Sequence, residues 1–418
     1  MVDYRGLIED IWSAGGQAYL VGGWVRDMLL GRDSEDIDLE VIGLPRDRFE
    51  EILKGYGKYY RCGRAYEIYI LGHDIEISYI EEAVEVRDAA RRRDFTINSL
   101  YYNPLEDRVY DYYNGREDIE RGVIRHVDKV TFLEDPLRIL RAAEMASRFS
   151  FDVDPETMVM MRENIEVLRE VPGERVAEEL RKVYLLSPKP SMAFEVMDES
   201  GALEIILPRL VRLKEVIQDE IYHPEGDVYT HILMMLDVLP VKRRSMEVFW
   251  GIIYHDMGKE ETWPEFRGHA LVSKEIFQRE SEDLVRGRTL RRCVEALIEY
   301  HEEPLKFLIE GFDRIRVRKL AVRVEIEKLL DLYLCDVLGR GREDNSEELE
   351  TIERIGKIYT EVREELTPII RGRDLIEWGV EDRETYSEII GMLFEAQLEE
   401  KFSTKEGAKA FYLSRVKA

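Results

Sequence analysis

The chain has 418 residues, of which 44% are hydrophobic and 35% charged, and its formal net charge is −26. This composition excludes an intrinsically disordered protein, and no apolar run is long enough to cross a bilayer. The acidic balance counts against a nucleic-acid binder, although basic clusters at 91–94, 241–244, 286–292 and 314–323 leave a local basic track possible. Three widely spaced cysteines (Cys62, Cys293 and Cys335) argue against a disulfide framework, so we expect a cytoplasmic protein without membrane association.

The first 131 residues alternate short strands with helices. Their patterns predict strands at 17–23, 36–42, 67–73, 74–80 and 108–115, and helices at 2–15, 24–30 and 46–57. From residue 132 onward nearly every segment has helical periodicity, interrupted by a Pro- and Gly-containing linker at 222–227. The sequence therefore predicts an α+β protein with a small mixed sheet followed by helical segments. The predicted divisions are 1–131, 132–221, 222–345 and 346–418.

The stretch at 19–41 places two glycines and two carboxylates around a short predicted helix. Gly22 and Gly23 follow a strand and precede that helix, a turn that lets a phosphate approach free N–H groups at the helix N-terminus. Asp36 and Asp38 are two residues apart on the next strand and share a face. Because adjacent carboxylates repel each other unless a cation lies between them, the pair predicts a divalent metal held against substrate phosphates. The competing interpretation is the polar face of a half-buried strand.

Two further segments carry candidate polar groups for a nucleotide. Asp74 and Glu76 share one face of a predicted strand, and either could activate an attacking hydroxyl or simply face solvent. Asp135 and Arg138 are spaced i,i+3 on a predicted helix. Together they offer the acceptors and forked donors that can hydrogen-bond the edge of a base. The alternative for this pair is a surface salt bridge.

Taken together, these segments resemble the class II tRNA nucleotidyltransferase and bacterial poly(A) polymerase superfamily, which has a polymerase-β-like head. The resemblance rests on LVGGWVRDMLLGRDSEDIDLEV (20–41), RRRDFTINSLYY (91–102), EDPLRILRAAEMASRFSF (134–151) and ERVAEELRKVYLL (174–186). These four segments occur in the family's order and spacing. The resemblance implies a nucleotidyltransferase head at 1–131 and a helical neck for nucleotide selection at 132–221.

The same resemblance implies an activity and a site. The activity is template-independent addition of C and A to the tRNA 3′ end from CTP and ATP, with Asp36 and Asp38 as catalytic residues that bind Mg²⁺. Asp135 and Arg138 would read the base. The full set of implied nucleotide-binding residues is Gly22, Gly23, Arg26, Arg92, Arg93, Asp94, Asn98, Asp135, Arg138 and Arg141.

A second constellation in the predicted helical body consists of histidines and aspartates: His231, His255, Asp256, His269, His301 and Asp336. Neutral imidazole with carboxylate suits a borderline divalent metal. The order His…His-Asp…Asp resembles the HD phosphohydrolase superfamily. That resemblance implies metal ligands at His231, His255, Asp256 and Asp336, which His269 and His301 can join, and a phosphate contact at Lys259. The implied ion is a transition metal such as Ni²⁺ or Mn²⁺, or Mg²⁺, in an HD domain at 222–345.

Several alternatives stay open. Family members that add all three nucleotides usually have a longer segment where this chain has only 81–90, so a CC-only enzyme is one alternative. A poly(A) polymerase-like enzyme that tails other RNAs is another, and an HD hydrolase with a nucleotide-sensing head is a third. Segments 368–380 and 397–411 resemble a tRNA-contacting tail. The expected partners are the tRNA acceptor end, CTP and ATP; both a monomer and a homodimer fit the sequence.

Overall fold

The computed structural model describes residues 3–33, 37–62, 67–73 and 75–416. The chain divides into two compact units, Met1–Ile206 and Leu207–Ala418. The predicted finer boundaries at 131/132, 221/222 and 345/346 remain predictions. Within the described ranges, no helix combines the length and the apolar composition that a membrane span needs.

The first unit contains a mixed sheet, seven-stranded over the described residues, in the order β3-β4-β5-β2-β1-β6-β7. Its strands are β1 (Gln17–Val21), β2 (Ile37–Ile42), β3 (Tyr59–Cys62), β4 (Glu67–Leu71), β5 (Ile75–Ile80), β6 (Tyr101–Asn103) and β7 (Arg108–Tyr110). Strands β2 and β5 are parallel, whereas β1 pairs antiparallel with both β2 and β6. A short parallel pair follows, β8 (Val123–Ile124) with β9 (Asp152–Val153). The parallel β2–β5 pair lies in the middle of the sheet, where β2 is almost wholly buried and every second residue of β5 is buried.

Helices surround this sheet and then continue as a helical segment. Those of the first unit are α1 (Tyr4–Ser13), α2 (Gly22–Leu29), α3 (Arg46–Tyr56), α4 (Val86–Arg91), α5 (Gly115–Arg121), α6 (Thr131–Glu134), α7 (Arg138–Phe149), α8 (Pro155–Glu163), α9 (Gly173–Leu186), α10 (Pro190–Ser200) and α11 (Ala202–Ile206). Helix α7 has an apolar stripe and packs against α9 and α10. Helix α7 also contacts the short β8–β9 pair.

The described residues of the second unit fold into helices joined by turns and loops, with one isolated β-bridge between Ile217 and Asp227. Its helices are α12 (Pro208–Arg212), α13 (Val228–Leu236), α14 (Met246–Tyr254), α15 (Lys259–Thr262), α16 (His269–Glu280), α17 (Arg288–Tyr300), α18 (Glu303–Glu310), α19 (Arg314–Ala321), α20 (Ile326–Gly339), α21 (Ser346–Val362), α22 (Gly372–Glu377), α23 (Tyr386–Leu398) and α24 (Lys405–Val416). Helix α14 packs against α13, α16, α17 and α20. Its residues from Val248 to Tyr254 are all buried, as expected for a helix that is apolar on every side.

The predicted α+β architecture is confirmed, with local differences. Strands β3 and β6 were not predicted, because four- and three-residue strands are too short to show a period. The predicted strand at 108–115 ends at Tyr110. There the Asp111 carboxylate accepts hydrogen bonds from the backbone N–H groups of Tyr113, Gly115 and Arg116, and this turn starts α5.

The basic cluster at 314–323 forms ion pairs within the second unit. Arg318 is buried and its guanidinium contacts the carboxylates of Glu365 and Glu400. On the same helix, Lys319 Nζ lies 2.6 Å from Glu399 Oε1. These pairs join α19 to the segments that follow α21 and α23. The cluster is therefore part of an intramolecular ion-pair network, not a track of free cations.

We expect Arg318→Ala to lower the free energy of unfolding by about 1 kcal/mol, because two carboxylates lose a buried partner while remaining half-exposed to water. Thermal unfolding checks this, with Arg292→Ala, at an exposed position on α17, as the control. Loss of RNA affinity in an Arg318→Ala protein of unchanged stability would contradict the structural role.

Candidate functional sites in the two units

The glycine turn, formed by Gly22 and Gly23, joins β1 to α2. Helix α2 begins at Gly22, two residues earlier than predicted, and its N-cap residue Val21 offers no side-chain hydrogen bond. The first N–H groups of a helix have no partner within the helix, so they remain available to an anion. Gly22 has a φ of +62°, a conformation that side chains with a Cβ rarely adopt. The glycine turn therefore has the backbone geometry of a phosphate site.

Asp38 lies beside the glycine turn. Its Oδ2 atom is 3.5 Å from the position that a Cβ would occupy on Gly22, and equally far from that position on Gly23. Across the parallel β2–β5 pair, Asp38 is in register with Glu76, which is exposed. The two carboxyl groups therefore project from the same face of the sheet. Carboxylate oxygens are the ligands that Mg²⁺ prefers, so this corner fits the ion.

Two predicted carboxylates lie outside the described residues. These are Asp36, the partner of Asp38 in the predicted metal pair, and Asp74, the other candidate for the third carboxylate. Of the two candidates for the third carboxylate, Glu76 is among the described residues, and it pairs with Asp38 across the two parallel strands.

Gly22→Ala tests the glycine turn. We expect the variant to lose about 1–2 kcal/mol of stability, because the left-handed backbone becomes strained. Its Cβ would also contact Asp38 and Arg93, so we expect weaker binding of a nucleoside triphosphate. Gly31→Ala is the matched control: Gly31 has a φ of +66°, and no atom of the described residues lies within 4 Å of its Cβ position. Denaturant unfolding and calorimetric titration measure the two effects. Equal triphosphate affinities in the two variants would argue against the phosphate site.

A chain of polar contacts connects four of the predicted nucleotide residues. Arg26 Nη1 donates to Asn98 Oδ1 at 2.8 Å, and Asn98 Nδ2 donates to Asp94 Oδ1 at 2.9 Å. Arg141 Nε donates to the other Asp94 oxygen at 2.9 Å. The chain of contacts joins the glycine turn to α7, because Arg26 is on α2 and Arg141 on α7.

Electrostatics keep Asp94 ionised. Burial alone would raise the pKa of this carboxyl, but the Arg141 guanidinium and the hydrogen bonds from Asn98 and the Phe95 N–H outweigh burial and lower it. Arg26 is also buried, and its guanidinium stacks over the Phe149 ring at 4.4 Å. These residues are therefore held in fixed positions before any ligand binds.

Asp135 and Arg138 do not share a helix face, which corrects the i,i+3 prediction. Helix α7 begins at Arg138, and Asp135 has an extended backbone with φ −146° and ψ 101°. The physical reason is Pro136, since the residue before a proline is disfavoured in the helical region. Arg138 Nη2 donates to the Arg92 carbonyl at 2.8 Å, whereas Asp135 Oδ2 lies 3.1 Å from Arg175 Nη2. Sequence analysis did not single out Arg175, although it lies in the 174–186 segment.

Both residues nevertheless line one cleft, here called the head cleft, of about 390 Å³. Six of the predicted nucleotide residues line it: Arg92, Arg93, Asp94, Asp135, Arg138 and Arg141. A cleft of this volume is in the range that holds one small-molecule ligand. Glu40 also lines the head cleft, and sequence analysis missed it. The available signal was its spacing, because it follows Asp38 by two residues and therefore shares its strand face.

The second unit brings the predicted histidines and aspartates together. The histidine cluster (His231, His255, Asp256, His269, His301 and Asp336) contains two sets whose ligand atoms converge within 4.8 Å: His231, His255 and Asp336, and Asp256, His269 and His301. Three of the rings, those of His255, His269 and His301, direct Nδ1 at a backbone carbonyl three residues earlier, at 2.7–2.9 Å. A ring held through Nδ1 presents Nε2 to a metal.

The donor atoms of the cluster fit a divalent ion. His255 Nε2 and Asp256 Oδ1 are buried and make no well-directed hydrogen bond within the described residues. Burial, with His255 and His269 nearby, lowers the pKa of His301 to about 3, which keeps that imidazole neutral. Burial would raise the pKa of Asp256, but His255 and Lys259 hold it well below its usual range. These are the protonation states that metal ligands need. Burial would lower the pKa of His231 and His269 too, but their carboxylate partners outweigh burial and raise it, so a metal ion would displace a proton from these two rings.

Residues around the cluster define a pocket of about 750 Å³ with three cations, Lys259, Arg340 and Arg342. Lys259 Nζ lies 2.7 Å from Asp256 Oδ2, and Arg340 contacts the Asp336 carboxylate. Sequence analysis missed Arg340 and also Glu225, whose Oε1 lies 2.8 Å from His231 Nδ1. Glu225 was not recognisable, because it belongs to the segment interpreted as a linker.

Known families match the first unit. The chain matches the family described as "Poly A polymerase head domain" over residues 18–77 and 73–125. It also matches the family described as "Probable RNA and SrmB- binding site of polymerase A" over residues 150–213. These matches cover three of the four segments on which the family resemblance rested, at 20–41, 91–102 and 174–186, and they confirm that resemblance. Neither match reaches the histidine cluster, so the resemblance to the HD phosphohydrolase superfamily rests on the residues of the second unit themselves.

Relatives cover most of the chain. The multifunctional CCA protein of Acidovorax sp. (strain JS42) is 35% identical over 368 residues, 78% of this chain and 82% of the relative. That of Pseudomonas fluorescens (strain Pf-5) is 32% identical over 324 residues, 69% of this chain and 76% of the relative.

Solved structures share the fold. The Bacillus stearothermophilus CCA-adding enzyme in complex with CTP superposes with a TM-score of 0.72 at 21% identity, covering 99% of this chain and 97% of that one. The Thermotoga maritima CCA-adding enzyme complexed with tRNA CCA gives a TM-score of 0.65 at 21% identity, covering 99% and 94%. From the extent and identity of the match to the Acidovorax relative, the chain belongs to the family of multifunctional CCA proteins.

Proposed function

We propose that this protein is a tRNA nucleotidyltransferase that adds C and A to the 3′ end of tRNA, using CTP and ATP, in the cytoplasm. The observation that carries the proposal is the convergence of Asp38, the glycine turn and Arg93 at one corner of the sheet, next to the head cleft. The multifunctional CCA proteins among its relatives support the choice of tRNA as the substrate.

The metal-binding residues of this site would be Asp36 and Asp38. Members of this family use divalent metal ions, and we propose Mg²⁺ here, because the described ligands are carboxylate oxygens. When bound, Mg²⁺ supplies charge stabilisation to the reacting phosphate and activation of the attacking hydroxyl. Glu76 lies beside Asp38 on the same face and is the described carboxylate best placed to accept the proton of that hydroxyl.

The triphosphate would bind at the glycine turn. Two guanidinium groups reach this turn: Arg26 Nη2 lies 3.4 Å from the Cβ position of Gly23, and Arg93 Nη1 lies 3.6 Å from that of Gly22. Free helix N–H groups and two fixed guanidinium groups complement a multiply charged anion. In this arrangement the turn and the two arginines hold the triphosphate, and Asp38 lies alongside it.

The head cleft would hold the base of the incoming nucleotide. Asp135 offers carboxylate acceptors, and Arg138 and Arg141 offer donors, the groups that read the Watson–Crick edge of a base. Each is held by a protein partner: Arg175, the Arg92 carbonyl and Asp94, respectively. Fixed donors and acceptors can select a base without a nucleic-acid template. The ribose would lie near Asp94 and Asn98, between base and triphosphate.

An extension assay tests the proposal and its alternatives. The protein and Mg²⁺ are incubated with tRNA transcripts that end at the discriminator base, at C or at CC, with CTP and ATP offered singly and together. We expect two C additions followed by one A. Growth by CC that stops with ATP present would identify a CC-only enzyme, which is relevant because only residues 81–85 join β5 to α4. Growth by A on unrelated RNAs would identify a tailing enzyme, and no growth would refute the proposal.

A second activity is favoured by the histidine cluster. We propose that the second unit is an HD-type metal-dependent phosphohydrolase, with His231, His255, Asp256 and Asp336 as ligands and His269 and His301 able to join them. A transition metal such as Ni²⁺ or Mn²⁺, or Mg²⁺, fits this donor set. Lys259 and Arg340 line the same pocket and would contact the substrate phosphate.

A further inference from the structure

Glu40 is a buried carboxylate that has no assigned role in the proposed nucleotide addition. It lies on β2, two residues after Asp38, and is only 3% exposed. Its register partners are Tyr19 on β1 and Ser78 on β5, so it lies in the interior of the sheet. A carboxylate in such a place is costly unless it is paired and hydrogen-bonded, so its partners indicate its role.

Two groups hydrogen-bond to the Glu40 carboxylate, and a third cation, Arg92 Nη2, lies 3.8 Å from its Oε1. Arg93 Nη2 donates to Oε2 at 2.5 Å, and the Tyr101 hydroxyl donates to Oε1 at 2.8 Å. Tyr101 is fully buried on β6, so the hydroxyl cannot move away without loss of packing. Because both of its oxygens accept hydrogen bonds, the carboxylate is held in one orientation. Its hydrogen bond with Arg93 Nη2 then fixes the orientation of the Arg93 guanidinium.

The other edge of the Arg93 guanidinium faces the glycine turn. Arg93 Nη1 and Asp38 Oδ2 are both close to the Cβ position of Gly22, at 3.6 and 3.5 Å. Because the guanidinium is planar, fixing Nη2 on Glu40 also sets where Nη1 points. The Arg93 side chain is 24% exposed, so this outer edge remains accessible to a ligand.

We propose that Glu40 is a positioning residue that, with Tyr101, fixes Arg93 for the triphosphate of the incoming nucleotide. The inference rests on the proposed nucleotide addition. It predicts a change in nucleotide affinity on removal of Glu40 that is opposite to the change expected from charge alone. Removing a negative charge near an anion site should strengthen anion binding if charge alone mattered. If Glu40 acts by positioning Arg93, its removal weakens binding instead, because the freed guanidinium samples other rotamers.

Direct binding of Mg·CTP by isothermal titration calorimetry separates these outcomes. We expect Glu40→Ala to raise the Kd about tenfold, and Tyr101→Phe to raise it less than Glu40→Ala. Glu40→Gln should raise it about two- to threefold, because the amide oxygen can still accept from Arg93 while the amide NH2 donates to the Tyr101 oxygen. The effect should appear in KM more than in kcat, since the triphosphate contact is made in the ground state. Asp47→Asn, at an exposed position on α3, is the control.

A double-mutant cycle decides whether Glu40 acts through Arg93. We expect Glu40→Ala to add nothing to the loss already seen in Arg93→Ala, since the positioned group is then absent. Additive losses, or an unchanged or lower Kd in a folded Glu40→Ala or Tyr101→Phe protein, would overturn the inference. If the unmodified protein itself binds no Mg·CTP, the proposed function fails, and that result differs from a failure confined to the variants.

Discussion

Asp38→Asn should lower kcat for nucleotide addition at least about a thousandfold, because the variant loses the charge that holds the metal against the reacting phosphate. Asn has nearly the same shape as Asp, and Asp38 is only half-buried, so the fold should be retained. The side chain lies beside the glycine turn, where a lost metal ligand affects the reaction directly. Single-turnover incorporation of labelled CTP measures the effect, and Asp47→Asn serves as a control carboxylate at an exposed position.

A rate within tenfold of the unmodified protein would contradict the assignment of Asp38. Glu76→Gln in the same assay tests the neighbouring carboxylate. A large loss in kcat at unchanged Kd for Mg·CTP would give Glu76 the role of proton acceptor, and a normal rate would leave it as a solvent-facing residue of β5.

The second large effect is expected in the histidine cluster. His255→Ala should remove tightly bound Mn²⁺ or Ni²⁺ from the second unit and reduce metal-supported phosphatase activity at least about a hundredfold, because a direct metal ligand is lost. His255 is 1% exposed, and its Nε2 makes no well-directed hydrogen bond among the described groups, although it lies 3.2 Å from Asp256 Oδ2. Metal analysis after dialysis measures binding independently of activity, and His73→Ala, at an exposed position in the first unit, is the control.

Each of the two variants, Asp38→Asn and His255→Ala, is also a control for the other. Asp38→Asn should retain metal in the histidine cluster, and His255→Ala should retain nucleotide addition. If both variants lose both activities, the two sites do not act independently. If His255→Ala binds the same amount of metal as the unmodified protein, the cluster is a hydrogen-bonded core and not a metal centre.

The sequence predicted the parts of these sites that depend on local patterns. A glycine turn before a helix and an aspartate on the next strand needed only the 19–41 segment. The His-Asp dipeptide and the histidines around it suggested the second cluster, and the structure brings all six residues together. In each case, residue type and short spacing define the chemistry.

The parts that were missed depend on contacts between distant residues. The Arg93–Glu40–Tyr101 arrangement joins three separate strands or loops, and no local pattern shows that Arg93 and Glu40 are paired. The prediction that Asp135 and Arg138 share a helix face was wrong, because α7 begins only at Arg138, after Pro136. The proline is a local signal of this boundary, but the prediction followed the helical periodicity instead. The buried pairing of Arg318 in the basic cluster at 314–323 could not be assigned from sequence, because its two acidic partners lie 47 and 82 residues away.

Intact mass spectrometry of a tRNA transcript that lacks its 3′-terminal CCA tests whether this protein builds the CCA end and whether Asp38 is needed for it. The transcript is incubated with the protein, Mg²⁺, CTP and ATP, and its mass is compared with that of a sample containing the Asp38→Asn variant. We expect a gain of two cytidylate residues and one adenylate residue with the unmodified protein, and no gain with the variant. An unchanged mass with the unmodified protein, or equal gains in both samples, would contradict this expectation.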